Sequence, residues 1–287
     1  MFLLLSILCS TVIFIIFKCF GLFKINTLQA LVVNYITASI FGFLNYSEPI
    51  SVTEITSSKW FIGAIILGVL FISIFNVMAL TAQKNGLSVA SVASKMSVII
   101  PVVFGLFVYN ETLNLQKGAG ILLALVAVFL ASVKAKDKED FQLKNLTLPL
   151  ILFLGSGVID TSISYVETTY LADNGIPVFS ATVFVFAAIT GILLLAYKSF
   201  NNKIELSYKP VVGGIILGIV NYYSIYTVLK ALNVENFESS TIFTVNNVAI
   251  VMLSTLVGLL LFKEKLLVKN WIGIAVAIVS IILVTFA

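Results

Sequence analysis

Gly63-Ala64-Ile65-Ile66-Leu67-Gly68 returns 150 residues later as Gly213-Gly214-Ile215-Ile216-Leu217-Gly218. Each copy stands near the start of a long apolar run, 60–82 in one case and 211–232 in the other. A longer echo follows it. Sliding residues 90–132 onto 243–285, an offset of 153, gives identity at 11 of 43 positions. Identical Leu, Ile and Val mean little in apolar text, so the weight falls on Gly105/Gly258, Glu111/Glu264 and Gly120/Gly273, with Leu113/Leu266 and Ala124/Ala277 in register. The chain reads as two related halves.

Composition says where those halves live. Of 287 residues, 60% are apolar and 10% are charged, against roughly 25% charged in ordinary globular domains. A mean hydropathy of +1.12 leaves too little polar surface to cover a water-soluble particle. The same numbers exclude a disordered chain and a disulfide-stapled secreted fold. All 17 basic residues are lysine, and histidine is absent. That removes histidine acid–base catalysis, His-based metal sites and bidentate arginine recognition of phosphate. A net charge of +4 spread over the loops marks no nucleic-acid surface. Cys9 and Cys19 lie about 15 Å apart along one helix, too far for a disulfide. Met1 to Phe17 has neither a basic leader nor a small-residue cleavage site, and is expected to be a retained span.

Ten apolar segments have the length of membrane-spanning helices: 1–17, 28–44, 60–82, 88–109, 118–133, 148–170, 175–197, 211–232, 239–262 and 271–287. The strongly polar stretch Lys134–Asn145 divides them into a first repeat, 1–133, a linker, 134–146, and a second repeat, 147–287. The expected fold class is an all-α polytopic membrane protein with ten transmembrane helices. Five spans is an odd number, so the second half enters the membrane from the opposite side, an inverted repeat. Thirteen of the lysines fall on the side away from the termini, and Lys59, Lys117 and Lys230 on the terminal side. The positive-inside rule then puts the lysine-rich side in the cytoplasm and both termini outside a plasma (inner) membrane.

In this arrangement the chain resembles the EamA-like branch of the drug/metabolite transporter superfamily. The carrying residues are Pro101…Val108-Tyr109-Asn110-Glu111-Thr112-Leu113…Gly118-Ala119-Gly120 and, in the second half, Leu260-Leu261-Phe262-Lys263-Glu264-Lys265-Leu266…Trp271-Ile272-Gly273. Ser254 stands where the repeat would put the proline. The resemblance covers essentially the whole chain. It implies a secondary carrier without a cofactor, and its usual cytoplasmic termini oppose the lysine count.

Two charges inside spans are the most informative residues, since each costs about 2.5–3.5 kcal/mol or more to insert. Asp160 lies about 18 Å into the sixth span and Lys95 about 11 Å into the fourth, both counted from the lysine-rich side. A lysine side chain covers that difference, so an ion pair is feasible, and a purely structural pair is the competing reading. Asp160 is the proton-coupling candidate. Ser94 adjoins Lys95, and Asp160 is followed on its own face by Ser164 and, close by, Tyr165. Asn221 and Tyr226 in the eighth span and Asn246 and Asn247 in the ninth bring further polar groups to mid-depth. The substrate-binding set is therefore Lys95, Asp160, Ser94, Tyr165, Asn221, Tyr226, Asn246 and Asn247. Any single asparagine is equally well explained as interhelical glue. Pro101 is a hinge candidate. The glycines serve close helix approach, and Glu111 and Glu264 serve capping and loop geometry.

No catalytic constellation, metal-ligand cluster or nucleotide-binding loop is visible, so an enzyme and a self-powered pump are both disfavoured. The expected function is secondary transport, in the export direction, of a small polar metabolite such as an amino acid, by alternating access. Its partners are the substrate, the lipid bilayer and protons as coupling ion, with no nucleic acid; monomer and dimer fit alike. The alternatives are a multidrug or cation exporter, an intramembrane enzyme and a non-transporting scaffold.

Overall fold

A backbone in lipid has no water to satisfy its N–H and C=O groups, so long apolar runs close those bonds internally as helices. The computed structural model describes residues 1–46, 51–108, 114–132, 144–171, 175–201, 207–232 and 239–286. Among the described residues it contains twelve helices and no strand: α1 Phe2–Leu22, α2 Thr27–Leu44, α3 Val52–Ser57, α4 Phe61–Lys84, α5 Leu87–Met96, α6 Ile99–Val108, α7 Leu115–Ser132, α8 Lys144–Tyr170, α9 Ile176–Asn201, α10 Tyr208–Leu232, α11 Ser239–Leu260 and α12 Val268–Thr285. Eight stretches are long and apolar enough to cross a membrane, α5 and part of α6 counting as one, and Leu115–Ala131 and Val245–Leu260 are shorter apolar helices. The chain is an all-helical, multi-pass membrane protein. Glu111 and most of the linker lie outside the described residues.

The turns carry the expected chemistry. Asn26 caps α2 by accepting from the Gln29 N–H at 3.2 Å. The fourth apolar run departs from the expectation of one continuous span: it is cut at Ser97–Val98 into α5 and α6. Pro101 is the cause, because its ring excludes the carbonyl four residues back, that of Ser97, and it has no N–H to bond there. The Ser97 carbonyl accepts from the Ile100 N–H instead, at 2.9 Å. At the equivalent place in the second half, Ser254 bonds back to the Val251 carbonyl at 3.1 Å and α11 runs on unbroken.

α7 and α12 run antiparallel. Near the start of α7 and the end of α12, Gln116 donates to the Leu283 carbonyl at 3.2 Å. At their other ends Asn270 donates to the carbonyls of Leu130 and Ala131 at 3.1 and 2.9 Å, and between them Ser280 donates to Gly120 at 2.7 Å. Side-chain bonds to backbone of this kind, with small residues beneath them, hold helices together where lipid provides no hydrophobic drive. The bundle has a terminal end, where α1 begins and α12 finishes, and a lysine-rich end opposite it.

α7 packs on α12 at one edge of the bundle. In the main body α2 packs on α9 and α10, α1 on α10 and α11, α4 on α8 and α9, and α5 on α8 and α11. The middle of this body is aromatic. Tyr35 is fully buried, donates to the Phe71 carbonyl at 3.0 Å, and lies among Phe71, Phe75 and Phe184. Beside that aromatic layer the packing stops and a cavity begins.

Candidate functional site

The helix break sets the chemistry of the cavity wall. Because α5 ends at Met96, Lys95 falls in its last turn, where the unpaired carbonyls favour a cation. Because α6 restarts at Ile99, Ser97 stands just ahead of a second helix start, and its hydroxyl, bonded to the Ser94 carbonyl at 2.5 Å, also lies within hydrogen-bond reach of Asp160 Oδ2 at 3.2 Å. One proline thus supplies a favourable end for the ammonium and a hydroxyl for the carboxylate.

The cavity has a volume of about 750 Å³. Lys95, Asp160, Ser94, Asn221, Asn246 and Asn247 of the expected set all line it, as does Pro101. Asp160 sits midway along α8 yet is accessible from the cavity, and Lys95 is half-buried. The two charges interact electrostatically. However, the one ion pair within 4.0 Å among the described residues is Lys18–Glu264, so Lys95 and Asp160 make no contact ion pair. The feasible pairing read from helix depth is not made in this conformation.

Two of the expected residues lie elsewhere. Tyr165 faces a separate groove of about 440 Å³ at the terminal end, with Trp60, Phe104 and Tyr170. Tyr226 stacks on Tyr222 with ring centroids 6.0 Å apart and carries the Lys230 ammonium 5.7 Å over its face. Neither lines the cavity.

Asparagines divide by role. Asn221 is buried and its Nδ2 donates to Asn34 Oδ1 at 3.3 Å, joining α10 to α2. Asn246 is 5% exposed, and its Oδ1 is buried without a hydrogen-bond partner. A buried amide oxygen left unpaired costs stability.

Several lining residues were not singled out from sequence. Ser6 of α1, Ser156 of α8 and Ser180 of α9 border the cavity, as does Ser224 of α10, one of the polar groups that follow Asn221 in the eighth span. Ser6 donates to the Ser224 carbonyl at 3.3 Å, tying α1 to α10. Ser156 is four residues before Asp160 and so shares its helix face, a signal the sequence did contain. Asn34 was readable by the same argument as Asn221, as an amide within an apolar span. Ser10 and Ser164 add two more hydroxyls, and the rest of the wall is apolar and aromatic, with Phe14, Phe71, Phe75, Phe179 and Phe184. Among the described residues no three His, Cys, Asp or Glu side chains converge as a metal site would require. The arrangement can hold a small molecule of mixed character, with a cation and an anion of the protein facing it and an aromatic surface behind.

No protein-family model matches the chain. A protein of Haemophilus influenzae, described only as uncharacterized, is 27% identical over 289 residues, covering 97% of this chain and 95% of its own. A solved structure, described only as a crystal structure of a protein, superposes with a TM-score of 0.56 at 14% identity, over 98% of this chain and 97% of that one. The likeness to it is one of fold.

Proposed function

We propose that this chain is a secondary carrier that exports a small polar metabolite, an amino acid or related compound, by alternating access. The observation that carries the reading is the central cavity, where Lys95 and Asp160 face the same space without pairing. A structural pair is expected to close upon itself, since an ion buried without its partner is costly. Charges held apart in a cavity of substrate size suit a ligand that brings both signs, its carboxylate to Lys95 and its ammonium to Asp160. Asp160 also takes the coupling proton in this scheme.

The packing supports ten crossings as an inverted repeat. Equivalent glycines approach equivalent helices: Gly68 meets α9 at Phe186 and Ala187, while Gly218 meets α2 at Asn34 and Thr37. Gly63 faces Val166 of α8, and Gly213 faces Phe20 of α1. Gly120 meets α12 and Gly273 meets α7. Each relation maps onto the other by exchanging the halves, as two repeats related by an axis in the membrane plane require. This is the construction expected of the EamA-like carriers that the sequence resembles.

Reconstitution tests the reading. Proteoliposomes loaded with a labelled amino-acid mixture should release at least one component faster than empty-protein controls, and an imposed pH gradient should change that rate. No release of any component, with or without the pH gradient, would remove the carrier. A second reading, export of apolar cations, draws on the aromatic wall around Asp160. It predicts that Lys95→Met leaves transport of a lipophilic cation intact, whereas the metabolite reading predicts weaker binding of carboxylate substrates. The lysine-rich end is the cytoplasmic one in either case. Labelling of Lys138→Cys by an impermeant reagent in intact cells would reverse that orientation.

A further inference from the structure

Glu264 follows α11 in a turn that capping and loop geometry were expected to explain. The structure gives it more to do. Lys263 takes a left-handed conformation with φ of 50°, and the Glu264 N–H reaches back to the Gly258 carbonyl at 3.0 Å. The turn folds the carboxylate inward, leaving its side chain 10% exposed. There its Oε1 lies 3.2 Å from the Lys18 ammonium at the end of α1 and accepts from the Leu87 N–H, the first of α5, at 2.8 Å. Ser88 Oγ reaches Oε2 at 3.5 Å. Lys18 donates in turn to the Ala82 carbonyl in the last turn of α4, at 3.2 Å. One acid therefore joins the ends of α1, α4, α5 and α11.

Two glycines make its seat. A Cβ at Gly86 would stand 2.9 Å from both carboxylate oxygens, and one at Gly258 would stand 2.6 Å from Oε2. Gly86 also needs its own conformation, with φ of 109°. The glycine shared at positions 105 and 258 thus leaves room, in the second half, for a carboxylate rather than for a neighbouring helix.

This cluster lies where the cavity stops. At the terminal end the lining reaches Ile176, the first residue of α9. Toward the lysine-rich end it stops at Phe14, Met78 and Ser94, four, six and seven residues short of Lys18, Lys84 and Leu87, or about 6–10 Å of helix. The packing is unequal in the same sense. α1 packs on α4 and α5, but α8 makes no comparable packing with α10 or α11 among the described residues.

We propose that Glu264, Lys18 and the first turn of α5 form a latch that closes the cavity at the lysine-rich end, and that its release admits that end to the site. The proposal rests on the carrier reading above. In a protein with Cys9 and Cys19 replaced by serine, two reporters divide the outcomes: Met78→Cys on the latch side of the cavity, and Ser180→Cys toward the terminal end. An impermeant maleimide is applied to one face at a time in oriented vesicles. Glu264→Gln and Lys18→Met should each speed labelling of Met78→Cys from the lysine-rich face about five-fold or more. They should also slow labelling of Ser180→Cys from the terminal face, since a shifted population leaves one side as it gains the other. Lys18→Met keeps the carboxylate seated on α5 and so guards against a fold lost with Glu264. A measurable baseline at Met78→Cys that ignores both substitutions, in protein that elutes as one species, would overturn the latch alone. A Met78→Cys reporter inert from the lysine-rich face in every background would overturn the carrier reading together with the latch.

Discussion

Lys18 with Glu264 and Lys95 with Asp160 are the same two functional groups arranged in opposite ways. At the lysine-rich end ammonium and carboxylate touch at 3.2 Å, and backbone and hydroxyl donors occupy the remaining lone pairs. In the cavity the charges stay beyond contact, with Ser97 the hydrogen-bond partner of Asp160. A buried pair is tolerable only with excellent geometry and its other valences filled. The end cluster meets that condition with protein atoms alone. The cavity couple does not, and both of its charges border the cavity instead. In the carrier proposed above, contact marks the end that is held shut, and separation marks the site that receives substrate.

The largest expected effect lies in the cavity. Asp160→Asn should abolish transport, or its response to a pH gradient, while leaving the thermal midpoint nearly unchanged, because the variant removes no contact pair. Lys95→Met should raise KM at least about ten-fold for substrates bearing a carboxylate. Combining the two should not restore transport. A double variant with full activity would mean that the charges matter only to each other, and the contrast between the two couples would vanish. Stability sharpens the contrast next. Lys18→Met breaks a made contact and should cost about 1.5–3 kcal/mol, whereas Lys95→Met should cost distinctly less. Thermal melts in one detergent compare them directly, and equal losses would break the distinction.

Much of this was legible before any coordinates. Eight of the apolar runs became helices of spanning length, because lipid leaves the backbone no other way to satisfy itself. The runs 118–133 and 239–262 became α7 and α11, within which Leu115–Ala131 and Val245–Leu260 are shorter apolar stretches. Lys95 and Asp160 were conspicuous because a charge in a span is expensive enough to need a reason. Ser97 was hidden: two residues from Lys95 on an intact helix, it would point elsewhere, and only the break turns both toward one space. Pro101 announced a hinge, but the position of the cut, at Ser97–Val98, depends on which carbonyl the ring excludes. The latch was hidden more deeply. Lys18 and Glu264 stand at opposite ends of the sequence, each at a span end where a charge can snorkel to water and needs no partner. Tyr165 and Tyr226 were drawn in by depth and neighbourhood alone, and their helices present them to other surfaces.

That break carries the third prediction. Pro101→Ala lets the Ser97 carbonyl recover its bond four residues on, and a proline inside a helix costs about 3 kcal/mol or more. The variant should melt higher, and amide exchange around the Ser97–Val98 cut should slow as α5 and α6 fuse. Transport should fall several-fold, because fusion turns Ser97 away from Asp160 and removes the helix end beside Lys95. Faster transport in a more stable variant would separate the break from the site.

The smallest effects should come from the tyrosines outside the cavity. Tyr226→Phe keeps the ring that stacks on Tyr222 and the face that holds the Lys230 ammonium, so aromatic contact and cation–π attraction both survive. Tyr165→Phe likewise keeps the edge contacts with Phe104 and Tyr170. Neither hydroxyl borders the 750 Å³ cavity, and each variant should transport within about two-fold of the parent with an unchanged KM, since surface changes away from buried features are usually near neutral. Phe14→Ala, which strips part of the aromatic wall, is the matched control and should weaken binding. A large KM change in Tyr226→Phe beside a silent Phe14→Ala would move the binding site from the cavity between α5 and α8 to the tyrosine face of α10. The unpaired charges would then need another explanation.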